Sequence, residues 1–135
     1  MKFFDAGGRK KTLAKASSYA IDWDGKCRSK FQMAVRDFVR PSWESDVVFE
    51  EFRIVGTRLS LDIYNASKKV AIEVQGRQHN EFVEFFQKSR ANYLDQLKRD
   101  EKKLTFCNMN DITLIEIYDI KECTKEFFES KGVYL

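Results

Sequence analysis

Apolar and polar residues alternate along three short segments of the chain, a pattern typical of β-strands with one buried face. The segments are residues 46–54, 58–64 and 70–75. Gly56 and residues 65–69 lie between these segments and have the composition of turns. The pattern therefore predicts three consecutive strands joined by short turns, as in an antiparallel meander.

Helical spacing of apolar residues predicts a first helix over residues 29–39. Ser29 is placed to be the N-cap, and Gln32 occupies the capping-box position three residues later. The apolar stripe of this helix comprises Phe31, Ala34, Val35 and Phe38. Pro41 is expected to end the helix, because the residue before a proline is disfavoured in helical conformation.

A second, longer helical pattern covers residues 81–106. Its apolar residues at helical spacing are expected to face the core, and its basic residues are expected on the other side. The apolar set is Tyr93, Leu94, Leu97 and Leu104, and the basic set is Lys98, Arg99, Lys102 and Lys103. A turn at 108–111, a strand at 112–118 and a short amphipathic helix at 120–130 complete the pattern.

The predicted order is helix, three strands, helix, strand, helix, which is typical of an α/β or α+β fold. We expect a central mixed sheet of about four strands flanked by helices, in a domain formed by residues 27–135. Residues 1–26 are expected to form an irregular, basic N-terminal arm. Within this arm, the alternation of Tyr19, Ile21 and Trp23 allows a short strand or a docked extended segment.

Composition limits the class of protein further. The chain has 135 residues, of which 43% are hydrophobic and 33% charged, as expected of one globular domain. No apolar run approaches the roughly 18 residues of a membrane span, and the N-terminus lacks a secretory signal. A cytoplasmic protein without membrane contact is therefore predicted.

Three cysteines without CxxC spacing and one histidine argue against a Cys/His zinc site and indicate reduced thiols.

Charge is distributed unevenly along the chain. The net charge is +3, but it is unevenly shared. Residues 1–40 contain ten Lys/Arg and four Asp/Glu, whereas residues 41–135 contain fourteen Lys/Arg and seventeen Asp/Glu. The basic residues of the N-terminal region include Arg9, Lys10, Lys11, Lys26, Arg28 and Lys30. This asymmetry predicts an anionic partner for the first third of the chain. The alternative is a solvated lysine-rich arm without a partner.

Two carboxylates are the strongest candidates for chemistry. Asp62 and Glu73 lie on the polar faces of neighbouring predicted strands, and Gln75 points the same way as Glu73 because it follows two residues later. If the two strands pair as a hairpin, the three side chains converge. Paired carboxylates suit a hard divalent cation such as Mg²⁺. The alternative is a set of ordinary polar residues on a half-solvated sheet.

The sequence around these carboxylates resembles the PD-(D/E)XK nuclease superfamily. The segment LDIY at 61–64, followed after a turn by AIEVQG at 71–76, is similar to the family's Asp on one strand and Glu-x-Lys on the next. EVQGRQH at 73–79 and LKRD at 97–100 resemble a small branch related to very-short-patch repair endonucleases. Residues 28–32 and 49–52 resemble the first helix and strand of phage junction-resolving endonucleases. The resemblance covers about residues 27–120.

This resemblance implies a restriction-endonuclease-like core and Mg²⁺-dependent hydrolysis of DNA phosphodiester bonds, with Mn²⁺ able to substitute. The implied metal ligands are Asp62, Glu73 and the carbonyl of Val74. The other implied catalytic residues are Gln75 to position the attacking water, His79 as a general acid or phosphate contact, and Gln32 to complete the site. Asp100 also completes the site if the long helix lies over the sheet; the alternative for Asp100 is a surface ion pair with Lys103 or Arg99. The implied phosphate contacts are the six basic residues of the N-terminal region together with Arg77, Lys98, Arg99 and Lys102.

Two departures from the family pattern keep a second hypothesis open. Gln75 stands where the family has a lysine that supplies positive charge, and Gln32 stands where relatives carry a glutamate that assists metal binding. The alternative is therefore a catalytically weak or inactive nuclease-fold protein that binds nucleic acid. Glu50 and Glu51 are adjacent in a predicted strand, so they are expected to point to opposite faces, one of them toward the site.

Small size and the junction-resolving resemblance favour a homodimer, because cutting two strands requires two sites. A monomeric homing or nicking endonuclease is the alternative. The pattern leaves the DNA substrate open among a junction, a mismatch, a single strand and a specific duplex site. A phage or other mobile-element origin fits a small nuclease of this kind.

Overall fold

A four-stranded mixed sheet forms the centre of the protein. The computed structural model describes residues 1–75 and 90–135. In chain order its elements are β1 (Lys2–Phe4), β2 (Lys10–Thr12), α1 (Lys30–Trp43), β3 (Val48–Arg53), β4 (Ser60–Asn65), β5 (Val70–Val74), α2 (Arg90–Met109), β6 (Thr113–Ile117) and α3 (Lys125–Ser130). The predicted meander is confirmed, because β3, β4 and β5 pair antiparallel in that order. β6 then pairs parallel to β5, which makes the sheet mixed, as predicted.

Two hydrophobic clusters cover the two faces of the sheet. On one face, α1 and α3 bury Val35, Val39, Trp43 and Phe128 against Ile63, Ile72, Ile115 and Ile117. On the other face, α2 and the N-terminal residues bury Phe106, Cys107, Phe3 and Leu13 against Phe52, Leu61, Tyr64 and Ala71. Ala71 and Ile72 belong to different clusters because successive side chains of a strand point to opposite faces.

Helix α1 begins where the capping pattern predicts and ends later than expected. The Ser29 hydroxyl accepts a hydrogen bond from the Gln32 backbone N–H at 3.1 Å, which confirms the N-cap. The prediction that Pro41 ends the helix is wrong, because Pro41 lies inside the last turn. The Glu44 N–H donates to the Arg40 carbonyl at 2.9 Å beyond it. Extending the helix buries Trp43 completely, which contributes about 2–3 kcal/mol and offsets the local cost of the proline.

The buried stripe of α1 is rotated relative to the predicted one and contains two polar residues. Its members are Gln32, Val35, Arg36, Val39 and Trp43. The predicted members Phe31 and Phe38 are only partly buried. The Arg36 guanidinium donates to the carbonyls of Asp22 at 3.0 Å and Gly25 at 2.7 Å. A buried cation therefore fastens the segment before α1 to the body of the protein.

The N-terminal residues are more ordered than the predicted irregular arm. β1 and β2 form an antiparallel hairpin, followed by a 3₁₀ turn at Ala16–Tyr19. The Phe3 ring packs against Phe52 and Phe106, with ring centroids 5.7 and 5.5 Å apart. The Asn110 side chain accepts from the Phe4 N–H at 2.7 Å and donates to the Phe4 carbonyl at 2.9 Å. The hairpin is thus held both by the core and by the end of α2.

Helix α2 turns an unexpected face toward the sheet. The prediction that its leucines face the core is wrong, since Leu94, Leu97 and Leu104 are 43–46% exposed. Its inward face contains Phe106 and Cys107 at one end and the partly buried Gln96, Asp100 and Lys103 before them. In the part of the chain that the structure describes, no helix combines the length and apolar character needed to cross a bilayer.

Candidate functional site

Asp62 and Glu73 interlock at the point where β4 and β5 stop pairing through their backbones. The last backbone pair on this side is Ile63 with Ile72. One residue further, the Asp62 N–H donates to Glu73 Oε2 at 2.9 Å, and the Val74 N–H donates to Asp62 Oδ2 at 2.8 Å. Each carboxylate therefore replaces the backbone partner that the opposite strand no longer supplies. The convergence predicted for this pair is present in the structure.

Glu73 is a buried carboxylate with a strongly altered acidity. Its side chain is 3% exposed. Burial first, and the neighbouring Asp62 carboxylate second, raise the pKa of Glu73 to about 8. The Lys103 ammonium lowers this pKa but does not cancel the increase. Glu73 is thus poised to take up or release a proton near neutral pH.

Lys103 of α2 forms an ion pair with Glu73 Oε1, and the pattern of the sequence did not reveal it. Its side chain is only 18% exposed, whereas the periodicity of the helix predicts a solvent-facing lysine at this position. Lys103 lies one helical turn after Asp100, so the two share a face. The spacing of Asp100 and Lys103 is the sequence signal from which the inward position of Lys103 could have been predicted. The contact spans 30 residues, and it brings positive charge to a site where Gln75 cannot supply it.

The polar surface continues from β5 onto β6. Gln96 Nε2 donates to the Asp100 carboxylate at 3.0 Å, and the nearby Gln75 side chain slightly lowers the pKa of the same carboxyl. Burial, with a smaller contribution from Glu116, raises the pKa of Asp100. Glu116 lies directly beside Glu73 in the parallel register and accepts a hydrogen bond from the Tyr118 hydroxyl. Glu116 and Tyr118 were not predicted, although they alternate with the buried Ile115 and Ile117.

Three oxygen-bearing groups of this site suit a hard divalent cation. Among the described residues, the Val74 N–H donates to Asp62 Oδ2 and none donates to Asp62 Oδ1. The Val74 carbonyl faces β4, because the N–H and C=O of one strand residue point to the same side. Glu73 supplies the second carboxylate. Within residues 1–75 and 90–135, no group of three or more His, Cys, Asp or Glu side chains is arranged to hold a metal. A cation here would therefore complete its shell with water or phosphate, as Mg²⁺ commonly does.

Gln32 hydrogen-bonds to a different pair of acids. Its Nε2 donates to Glu50 Oε2 at 3.1 Å and to Glu51 Oε1 at 3.3 Å, and the structure joins it to neither Asp62 nor Glu73. The expectation that Glu50 and Glu51 point to opposite faces is wrong. Glu51 adopts a φ of 51°, which breaks the alternation of the strand, so both carboxylates meet the same amide of α1. This arrangement joins α1 to β3, and the assisting role expected of Gln32 stays a prediction.

The candidate phosphate contacts are spread over several surfaces. Lys98, Arg99 and Lys102 are exposed on one flank of α2, and Arg9, Lys26 and Lys30 are exposed near the N-terminus. Three others have partners: Lys11 pairs with Asp5 at 3.2 Å, Arg28 pairs with Glu51 at 3.5 Å, and Lys10 lies over the Phe4 ring. Arg77 and His79 lie outside the described residues.

Three relatives, all encoded by viruses, match about half of the chain. Protein 307L of Invertebrate iridescent virus 6 is 38% identical over 65 residues, which are 47% of this chain and 33% of that protein. Protein 033L of Invertebrate iridescent virus 3 is 36% identical over 69 residues, covering 50% and 36% of the two chains. Protein 094L of Frog virus 3 (isolate Goorha) is 45% identical over 69 residues, covering 50% and 44%. All three carry the description "uncharacterized".

The aligned residues amount to less than half the length of each of these curated relatives. No protein-family model matches the chain. No solved structure matches it at a significant level. The chain is therefore similar to part of a set of iridescent-virus and frog-virus proteins, and its chemistry has to be argued from the Asp62–Glu73 site.

Proposed function

We propose that the chain is a divalent-metal-dependent nuclease that hydrolyses DNA phosphodiester bonds on a restriction-endonuclease-like core. The observation that carries the proposal is the interlocked Asp62–Glu73 pair at the open end of the β4–β5 ladder, with the Lys103 ammonium against it. Cleavage of both strands would use two copies of this site in a homodimer. The proposed compartment is the cytoplasm.

Each residue of the site would have a separate role in such a reaction. Asp62, Glu73 and the Val74 carbonyl would hold the cation, which when bound polarises the phosphate and lowers the pKa of a water molecule. Lys103 places a positive charge beside the carboxylates, where negative charge develops in the transition state. Gln75, two residues after Glu73 and close to Asp100, would orient a water molecule. Glu73 has to lose its proton to serve as a ligand, so cation binding is favoured as the pH rises.

Removing the metal tests this proposal directly. We expect the purified chain to cleave labelled DNA in Mg²⁺ or Mn²⁺ and to form no product in EDTA. The substrates are duplex, single-stranded and four-way-junction DNA, resolved on denaturing gels. Restoring Mg²⁺ after EDTA is expected to restore product, because the cation is exchangeable at an open site of two carboxylates.

The matched control for a contaminating nuclease is a pair of conservative variants. Asp62→Asn removes a carboxylate of the site, whereas Glu101→Gln removes an exposed carboxylate from the outer face of α2. Metal-dependent product should disappear with the first variant and persist with the second. Equal product from both variants would contradict the assignment of the site.

The Lys103 contact favours one second candidate, a nucleic-acid-binding protein that does not cleave. The raised pKa of Glu73 and the neighbouring Lys103 ammonium together limit the uncompensated negative charge of the carboxylate pair, so the fold does not require a cation. This candidate predicts salt-sensitive DNA binding with no product in either Mg²⁺ or Mn²⁺. The metal assay therefore separates the two candidates.

Both candidates predict that the exposed flank of α2 contacts phosphates. We expect the double variant Lys98→Gln/Lys102→Gln to weaken DNA binding, because each phosphate contact releases a counterion. The slope of log affinity against log salt should fall by about 1–2 in magnitude. Fluorescence anisotropy over a series of NaCl concentrations measures this slope. The control is Lys121→Gln/Lys125→Gln, which removes the same charge from exposed positions near α3. An identical change of slope in both double variants would show that only net charge matters.

A further inference from the structure

A shallow cavity of about 300 Å³ lies along β6, next to the proposed catalytic site. We call it the β6 cavity; its walls are formed by Leu114, Glu116, Tyr118, Glu122, Phe127 and Lys131. Glu116 lines the β6 cavity and also lies beside Glu73 of the proposed catalytic site in the parallel register. The backbones of neighbouring strands are about 4.8 Å apart, so the cavity lining and the carboxylate pair lie on adjacent strands of the sheet.

The walls of the β6 cavity combine flat apolar surfaces with hydrogen-bond acceptors. Phe127 and Tyr118 contribute aromatic rings. Glu116 Oε2 accepts from the Tyr118 hydroxyl, and Glu122 Oε1 accepts from the Tyr118 and Asp119 N–H groups at 2.7 and 3.0 Å. Each glutamate therefore has a second oxygen to which no described residue donates. Lys131, whose ammonium lies 5.4 Å from the Phe127 ring centroid, is the cation of the lining.

This chemistry selects a flat ligand that carries donors on its edge. Two carboxylates repel a phosphate, so the cavity itself is unsuited to the backbone of a nucleic acid. A nucleobase has a face for the aromatic rings, and cytosine, adenine and guanine carry an amino group for a carboxylate. Thymine has no amino group, and a carbonyl acceptor lies on each side of its single N–H. A carboxylate that accepts from this N–H is therefore repelled by the neighbouring carbonyl oxygens.

We infer that the β6 cavity binds an unpaired, amino-bearing base of the DNA strand that is cleaved at Asp62 and Glu73. This inference rests on the proposed function and narrows its substrate to DNA with unpaired bases. A base inside a duplex has its amino group paired and its faces stacked, so it cannot enter. Lys131, the cation of the lining, would leave the Phe127 ring to the base and pair with the phosphate next to it.

The test compares the binding of oligo-dC and oligo-dT of equal length to the full chain. Fluorescence anisotropy at low salt in EDTA measures affinity without cleavage. We expect oligo-dC to bind about tenfold more tightly than oligo-dT, the discrimination of one good base contact. Glu116→Gln should bring this ratio close to one, because an amide both donates and accepts. Phe127→Leu should weaken both oligonucleotides by about tenfold and leave the ratio unchanged, because stacking does not read the base.

Glu129→Gln, an exposed substitution on α3 outside the cavity, is the control and should keep both affinities. The inference is overturned if the wild-type chain binds oligo-dC and oligo-dT equally, or if Glu116→Gln keeps the preference. It is also overturned, while the nuclease proposal stands, if duplex DNA is cleaved and no single strand is bound. Loss of both binding and metal-dependent cleavage would overturn the two proposals together.

Discussion

Glu73→Gln is expected to lower the rate of metal-dependent DNA cleavage by at least about 10³-fold. The substitution keeps the shape of the side chain and an oxygen that can accept from the Asp62 N–H, so the strand ends stay joined. It removes the charge that a cation and the Lys103 ammonium both require. Single-turnover cleavage in saturating Mg²⁺ measures the effect, with Glu101→Gln as the matched control. Cleavage at the wild-type rate would refute the role assigned to Glu73.

The same variant has an expected effect on stability that is independent of any activity. The pKa of Glu73 is raised to about 8 from an ordinary value near 4.5, mainly by burial. The folded state therefore binds a proton more tightly than the unfolded state. The associated stability is fully present below about pH 4.5 and is lost as the pH rises through 8. We expect the free energy of unfolding of the wild type to fall by several kcal/mol over this interval relative to Glu73→Gln, at about 1.4 kcal/mol per pKa unit. Urea denaturation at pH 5, 7 and 9 measures the difference, and parallel curves for the two proteins would contradict the buried position of Glu73.

Lys103→Met is expected to lower the cleavage rate by about 10²-fold and to move its pH dependence toward higher pH. The rate falls because the positive charge beside the carboxylates is lost. The pH dependence moves because Lys103 lowers the pKa of Glu73, so without it the carboxylate releases its proton at a higher pH. Rates measured from pH 6 to pH 10 under single-turnover conditions report both effects.

Two further variants test whether the expected effects depend on the position and charge of Lys103. Lys103→Arg keeps the charge and is expected to restore most of the rate and the original pH dependence. Lys102→Met removes the neighbouring, exposed lysine and should weaken DNA binding without moving the pH dependence. If Lys102→Met and Lys103→Met gave the same result, Lys103 would be only one more surface charge.

The strands and the carboxylate pair could be read from the sequence because their signals are local. Alternation at Asp62, Ile63 and Tyr64, and again at Ala71, Ile72 and Glu73, is a period that the backbone imposes residue by residue. The N-cap at Ser29 is local for the same reason. Such features need no knowledge of what packs against them, and they survive in the folded protein.

The features that were missed depend on contacts between distant parts of the chain. Lys103 is inward-facing only because β4, β5 and β6 present acids to α2, and this polar lining also leaves the leucines of the helix exposed. Gln32 meets both Glu50 and Glu51 only because Glu51 takes a left-handed φ of 51°. Helical and strand periodicity assign a face to each residue, but they do not say which face a partner element will require.

The docked N-terminal hairpin changes how its charges can act on a polyanion. Lys10 and Lys11 are carried by β2, and this strand is tied through β1 to Phe52, Phe106 and Asn110. A tethered basic tail would sweep a large volume and would lose that freedom on capture. Here the ordering has already occurred during folding, so these charges form a stationary part of the electrostatic field of the protein. A polyanion that binds this chain would therefore meet these charges in one fixed arrangement relative to the sheet and α2.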